Sequence, residues 1–154
     1  MKNKVGMEKL TIYEAPEQSP GYLLWRVSMH WRSKIEETLK VFDLTHPQFV
    51  VLATTGWLTK NNERVAQIDI SRSAGLDPNT TSQVLRGLEA KKLIKRVRSL
   101  NERSKSPLLT PGGFEKLTLA LPAVEQADTL FFDALNAQES CKLIKIFQAL
   151  LSIK

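Results

Sequence analysis

The chain has 154 residues, 42% hydrophobic and 25% charged, and 22 Lys and Arg against 16 Asp and Glu give a formal net charge of +6. That composition fits a folded chain with one real core, or a small domain carrying extended helices, rather than a disordered one. No run of about 18 apolar residues occurs, so no membrane span is expected. The single Cys141 excludes an intrachain disulfide, and His30 and His46 with that one thiol do not make a metal-ligand set.

Residues 1–20 read as a flexible N-terminal arm, with turn formers across Ala15 to Gly21 and no period. Met1 to Gly6 carries two lysines but no apolar stretch follows, so no secretory signal is expected and a cytoplasmic location is. Leu24, Val27, Trp31, Ile35, Leu39 and Phe42 then recur at helical spacing, predicting a long helix from about Tyr22 to Phe42. Thr45 and Gln48 have capping-box spacing around an early Pro47. The helix they open is expected to bury Phe49, Val50, Leu52, Ala53 and Trp57 on one broad face. Lys60 to Glu63 is a polar break.

Ile68 to Ala74 predicts a short helix stopped by Gly75, and Asp77 with Pro78 predicts the cap and first position of the next. That helix should bury Thr81, Val84, Leu85 and Leu88 and expose Asn79, Ser82, Gln83 and Arg86. Two helices parted by Gly75-Leu76-Asp77 have helix-turn-helix proportions. Leu93 to Arg98 and Leu108 to Thr110 predict two strands around a polar loop, Ser99 to Ser106, which together form a wing. Thr110 to Gly113 opens a further helix that Pro122 should kink or divide. Asn136 to Glu139 restarts the chain into a last helix carrying Leu143, Ile144, Phe147, Leu150 and Leu151. Cys141, among these apolar neighbours, is expected to be a buried, inert thiol.

The charge is not spread evenly. Residues 72–105 hold nine bases and three acids, an excess of six that equals the whole net charge. A charge confined to one compact stretch is a directed field, and its natural partner is a polyanion. Within it, Gln83 and Arg86 are side chains that bridge adenine and guanine edges in a major groove, with Asn79 and Ser82 beside them. Thr80, near a helix start, suits a phosphate. Lys95, Arg96, Arg98 and Lys105 suit backbone contact or field, and Arg103 at the wing tip suits a narrow minor groove. The apolar stripes of the first and last helices exceed what a minimal winged helix covers, which favours a second copy of the chain.

These segments, in order from Tyr22 to Leu151, resemble the MarR family of bacterial transcriptional regulators. Leu44 to Phe49 is similar to the start of its second helix, and Thr81 to Ile94 to its recognition helix and exit into the wing. Asn101 to Lys105 is similar to its wing tip, and Leu109 to Gly113 to its entry into the dimer helix. Three positions depart: Asn101 replaces a wing aspartate, Lys92 stands where glycine is common, and Pro107 occupies a strand position usually aliphatic.

The resemblance implies a mainly α fold with a small β-wing, a winged helix-turn-helix with N- and C-terminal dimerisation helices. Residues 45–110 would be the DNA-binding domain, and residues 21–44 and 111–154 the dimerisation helices. It implies a homodimer on double-stranded, pseudo-palindromic operator DNA, acting as a repressor released by a small phenolic or anionic effector, with no cofactor. Trp25, Met29, His30, Arg32 and Trp57 are candidates to line an effector pocket. No catalytic set or phosphate loop points to an enzyme. The competing reading is a winged-helix module docking an acidic protein or RNA through its basic face.

Overall fold

A computed structural model describes residue 6 and residues 9–61, 63–98 and 105–152, with Arg98 and Lys105 placed by their backbone. Among these residues, six α-helices and one two-stranded sheet follow in the order α1 (Pro20–Leu39), α2 (His46–Leu58), α3 (Gln67–Ala74), α4 (Pro78–Ala90), β1 (Ile94–Arg98), β2 (Lys105–Leu109), α5 (Pro111–Phe131) and α6 (Ala137–Leu151). Among the described residues, no helix is long and apolar enough to cross a membrane.

Local chemistry explains the helix starts. Ser19, Thr45, Asp77, Thr110 and Asn136 each accept a backbone N–H of the first turn through the side chain. Thr45 with Gln48 and Asn136 with Glu139 close reciprocal capping boxes. The ends are equally local: α3 stops at Gly75 with φ +67°, the left-handed conformation a residue without Cβ adopts freely. The helix predicted to Phe42 ends at Leu39 and tightens into a 3-10 turn, Lys40–Phe42, before Asp43 turns left-handed at φ +53°.

The core gathers Ile35 and Leu39 from α1, Phe49, Val51 and Leu52 from α2, Ile70 from α3, Leu85 and Leu88 from α4, Ile94 from β1, and Ala120 and Val124 from α5. Central α2 contacts α1, α3, α4, α5 and β2. Its burial therefore follows its neighbours rather than one stripe: Val51 and Thr55 are fully buried while Trp57, expected inside, is 67% exposed with the Lys60 ammonium 3.5 Å from its ring centroid.

The strands pair antiparallel, from Ile94 opposite Leu109 to Arg98 opposite Lys105. The second begins three residues earlier than its apolar content suggests. Pro107, opposite Arg96, is buried, and in a sheet of two strands each is an edge, where a proline without N–H is tolerated.

Pro122 does not divide its helix; α5 is continuous from Pro111 to Phe131. The missing N–H leaves the Thr118 carbonyl without its helical donor, but packing against α1, with Ala120 and Val124 buried, holds the segment helical. Helix α6 buries no residue in the single chain, and Cys141 on it is exposed, against the sequence expectation. The apolar half of α1 that includes Leu24 and Val27 is exposed too, as are Ile144, Ile146 and Leu150 of α6.

Candidate nucleic-acid interface

Helices α3 and α4 meet through a turn held by side chain and backbone together. The buried Ser71 hydroxyl donates to the Leu76 carbonyl at 2.6 Å, and the Leu76 N–H returns to the Ser71 carbonyl at 3.1 Å. Asp77 Oδ1 accepts the N–H groups of Asn79 and Thr80 at 3.0 Å each, and the Thr80 hydroxyl donates to its other oxygen. Those bonds, the Thr80 hydroxyl foremost, hold the Asp77 carboxyl below the usual carboxylate range, so it stays ionised as a cap. Thr81 donates its hydroxyl to the Asp77 carbonyl at 2.9 Å. A turn fixed on both sides presents α4 as a rigid element.

Amphipathic spacing decides what α4 shows. Thr81, Leu85 and Leu88 are fully buried, so Asn79, Gln83 and Arg86 stand exposed on the opposite side, with Ser82 half-buried at the margin. Asn and Gln carry the donor–acceptor pairs, and Arg the fork of donors, that read base edges. Thr80 is half-buried and its proton goes to Asp77, leaving only lone pairs outward. The Asp77 carboxylate also occupies the amides that an anion would use at this helix start.

Strand alternation sorts the wing residues. Ile94 is buried, Lys95 exposed and Arg96 turned inward with its side chain 19% exposed. Arg96 Nε lies 3.3 Å from a carboxylate oxygen of Glu89 on α4, close enough for charge attraction but poorly aligned for a hydrogen bond. Its basic charge braces the wing against the helix rather than facing outward, which counting charges along the sequence did not show. Arg98 and Lys105 oppose each other at the outer end of the ladder, and Arg103 lies outside the described residues.

The five residues proposed for an effector pocket do not share one. His30 lines an α1–α5 groove of about 580 Å³ with Lys34, Thr38, Leu130 and Phe131. Trp57 lines a second groove of about 550 Å³ with Gly56 and Lys60, Leu109 of β2, and Phe114 and Leu117 of α5. Trp25, Met29 and Arg32 line neither; they are exposed on α1, where Arg32 pairs with Glu36 at 2.7 Å.

Comparison with known proteins fits this architecture. A family model described as transcriptional regulator SarA/Rot matches residues 33–104. The HTH-type transcriptional regulator YdcH of Bacillus subtilis is 36% identical over 135 residues, covering 87% of this chain and 92% of its own. The HTH-type transcriptional repressor Rv2887 of Mycobacterium tuberculosis is 28% identical over 84% of this chain and 91% of its own. Its structure, described as a MarR family protein in complex with salicylic acid, superposes with a TM-score of 0.65 at 26% identity, covering 86% of this chain and 96% of that one. The chain belongs to the MarR family. A structure of BpsR from Bordetella bronchiseptica, on regulation of its DNA binding by 6-hydroxynicotinic acid, shares the fold at TM-score 0.83 and 23% identity. It covers 94% of this chain and all of that one. As a MarR-family protein the chain is a winged helix-turn-helix, DNA-binding transcriptional regulator and not an enzyme.

The family also gives a physical reading of Lys92. It has φ +58°, left-handed, at the junction of α4 and the wing. A glycine there would reach that conformation without steric cost.

Proposed function

We propose that the chain is a homodimeric repressor that binds a pseudo-palindromic operator and is released by a small aromatic anion. The observation that carries the reading is the exposed set Asn79, Gln83 and Arg86 on a helix whose opposite side is buried and whose start is capped from within. Those side chains, with Ser82 at the margin, read base edges in the major groove. Lys95, Arg98 and Lys105 neutralise phosphates and Arg103 enters the minor groove, while Thr80, whose proton goes to Asp77, supports the helix start.

In this reading residues 45–110 bind DNA, while 21–44 and 111–154 pair two copies. Support comes from the apolar side chains a single chain leaves exposed at both ends, among them Leu24, Val27, Leu130, Ile144 and Leu150. Amphipathic faces of this kind are stable when covered. The effector takes the Trp57 groove, because its lining joins α2, the end of β2 and the start of α5. A ligand there differentiates two wing positions, the condition for shifting an equilibrium between them. Salicylic acid in Rv2887 and 6-hydroxynicotinic acid for BpsR suggest an aromatic carboxylate, with Lys60 as its counter-charge.

Sedimentation with a duplex carrying one inverted repeat tests the reading. Two chains per duplex are expected, and addition of salicylate should release them. One chain per duplex, or a complex indifferent to every aromatic acid tried, would count against the dimer or the effector respectively.

A further inference from the structure

Lys91 belongs to the basic run, yet its ammonium turns to the corner between α1 and α2. It stands at the C-cap of α4. Its Nζ lies 3.1 Å from Asp43 Oδ2 and 3.3 Å from Gln48 Oε1, and it also donates to the Asp43 carbonyl. Two of its three N–H groups thus go to the Asp43 carbonyl and Gln48, and the Asp43 carboxylate lies beside them as counter-charge.

The acceptors come from the corner between α1 and α2. Asp43 follows the 3-10 turn that ends α1. The same Gln48 oxygen accepts the Thr45 N–H at 3.2 Å, so one amide serves both the cap of α2 and the lysine. One turn before Lys91, Gly87 lies so close to this corner that a Cβ there would sit 3.3 Å from Gln48 Nε2. The lysine thus ties the end of the recognition helix to the end of α1.

We propose that Lys91 is a positioning residue that fixes the angle of α4 on the α1–α2 corner and so sets the half-site spacing the dimer accepts. The proposal rests on the homodimer reading. Leverage makes spacing the sensitive quantity. A tilt of about 5° at the C-terminal end of a 13-residue helix moves its other end by about 1.7 Å, half of one base-pair step.

The test uses Lys91→Met, which keeps the aliphatic stem, and Asp43→Asn, which suits the left-handed backbone and removes the charge. Each is titrated, after its folding is verified by thermal unfolding, on the preferred operator and on operators whose centre is one base pair longer or shorter. Wild type should lose affinity on the altered spacings. Both variants should shrink that penalty by about threefold, a size a partly exposed ion pair permits, with the salt dependence unchanged, and Lys91→Arg should restore it. Unchanged spacing penalties, or a uniform loss with a salt slope shallower by about one, would overturn the proposal. A wild-type protein indifferent to spacing overturns the homodimer reading, and the proposal with it.

Discussion

Two adjacent glycines should respond in opposite ways to the same substitution. Gly112 and Gly113 lie in the first turn of α5, where the wing ends. A Cβ on Gly113 would fall 1.9 Å from the Leu93 carbonyl oxygen, whereas one on Gly112 meets nothing closer than 3.8 Å. That carbonyl also accepts the Thr110 N–H at 3.1 Å. Beside it, Thr110 donates its hydroxyl to the Lys92 carbonyl at 2.7 Å and accepts the Gly113 N–H at 3.0 Å. The obstacle is backbone, so no side chain can swing aside. Gly113→Ala must push α5 and the Leu93 strand entry apart by about 1 Å to reach a tolerable contact, which breaks two of these bonds. At about 1 kcal/mol for each, plus about 1–3 kcal/mol of overpacking strain, the loss is about 3–5 kcal/mol. Gly112→Ala meets only ordinary contacts and gains up to about 1 kcal/mol of helix propensity. Urea unfolding of both variants measures the difference. A Gly113→Ala protein as stable as wild type would show that α5 does not approach Leu93 as described at its junction with the wing.

Arg86→Ala should cost roughly 1–3 kcal/mol per half-site on the preferred operator and relax one base position, while Lys95→Ala weakens all sequences alike and lowers the salt slope by about one. Titrations at several salt concentrations separate the two; an equal loss on random DNA for Arg86→Ala would refute the orientation of α4. Lys92→Gly should stabilise the fold by about 0.5–1 kcal/mol, since relief of the left-handed strain exceeds the added chain entropy, and thermal unfolding reads the sign. Burial first, and the Arg32 guanidinium second, hold the His46 imidazole below its ordinary pKa, so the fold favours the neutral ring. The unfolded chain then binds the extra proton first. The contribution is complete above about pH 6.5 and is lost as pH falls from there toward the folded value. His46→Gln should therefore show a shallower fall in urea midpoint from pH 7 to 5.5 than wild type, and identical slopes would remove His46 from the account.

What the sequence made legible was what neighbouring residues decide. Thr45 with Gln48, Asp77 with Pro78, Thr110, and Asn136 with Glu139 all cap helices as their spacing suggests, because a cap needs only three or four residues of chain. The burial of Thr81, Leu85 and Leu88 likewise follows from one helical period, and with it the outward set on α4. Contacts between distant segments were not legible. Lys91 meets Asp43 across 48 residues, and no pattern pairs them. Arg96 counts as basic in the sequence and is spent on Glu89 in the fold. Trp57 sits outside because α2 is surrounded on several sides and a single stripe does not describe it. Cys141 is exposed because a single chain leaves α6 uncovered, and Pro122 stays within a helix because α1 supports the segment around it.

Selection of bound duplexes from a random library, with the full chain at physiological salt, tests the central claim most directly. A dimer presenting two copies of Asn79, Gln83 and Arg86 should enrich an inverted repeat whose half-sites lie about one helical turn, roughly 34–36 Å, apart. Enrichment of a single unrepeated site, or of no sequence at all, would contradict the account.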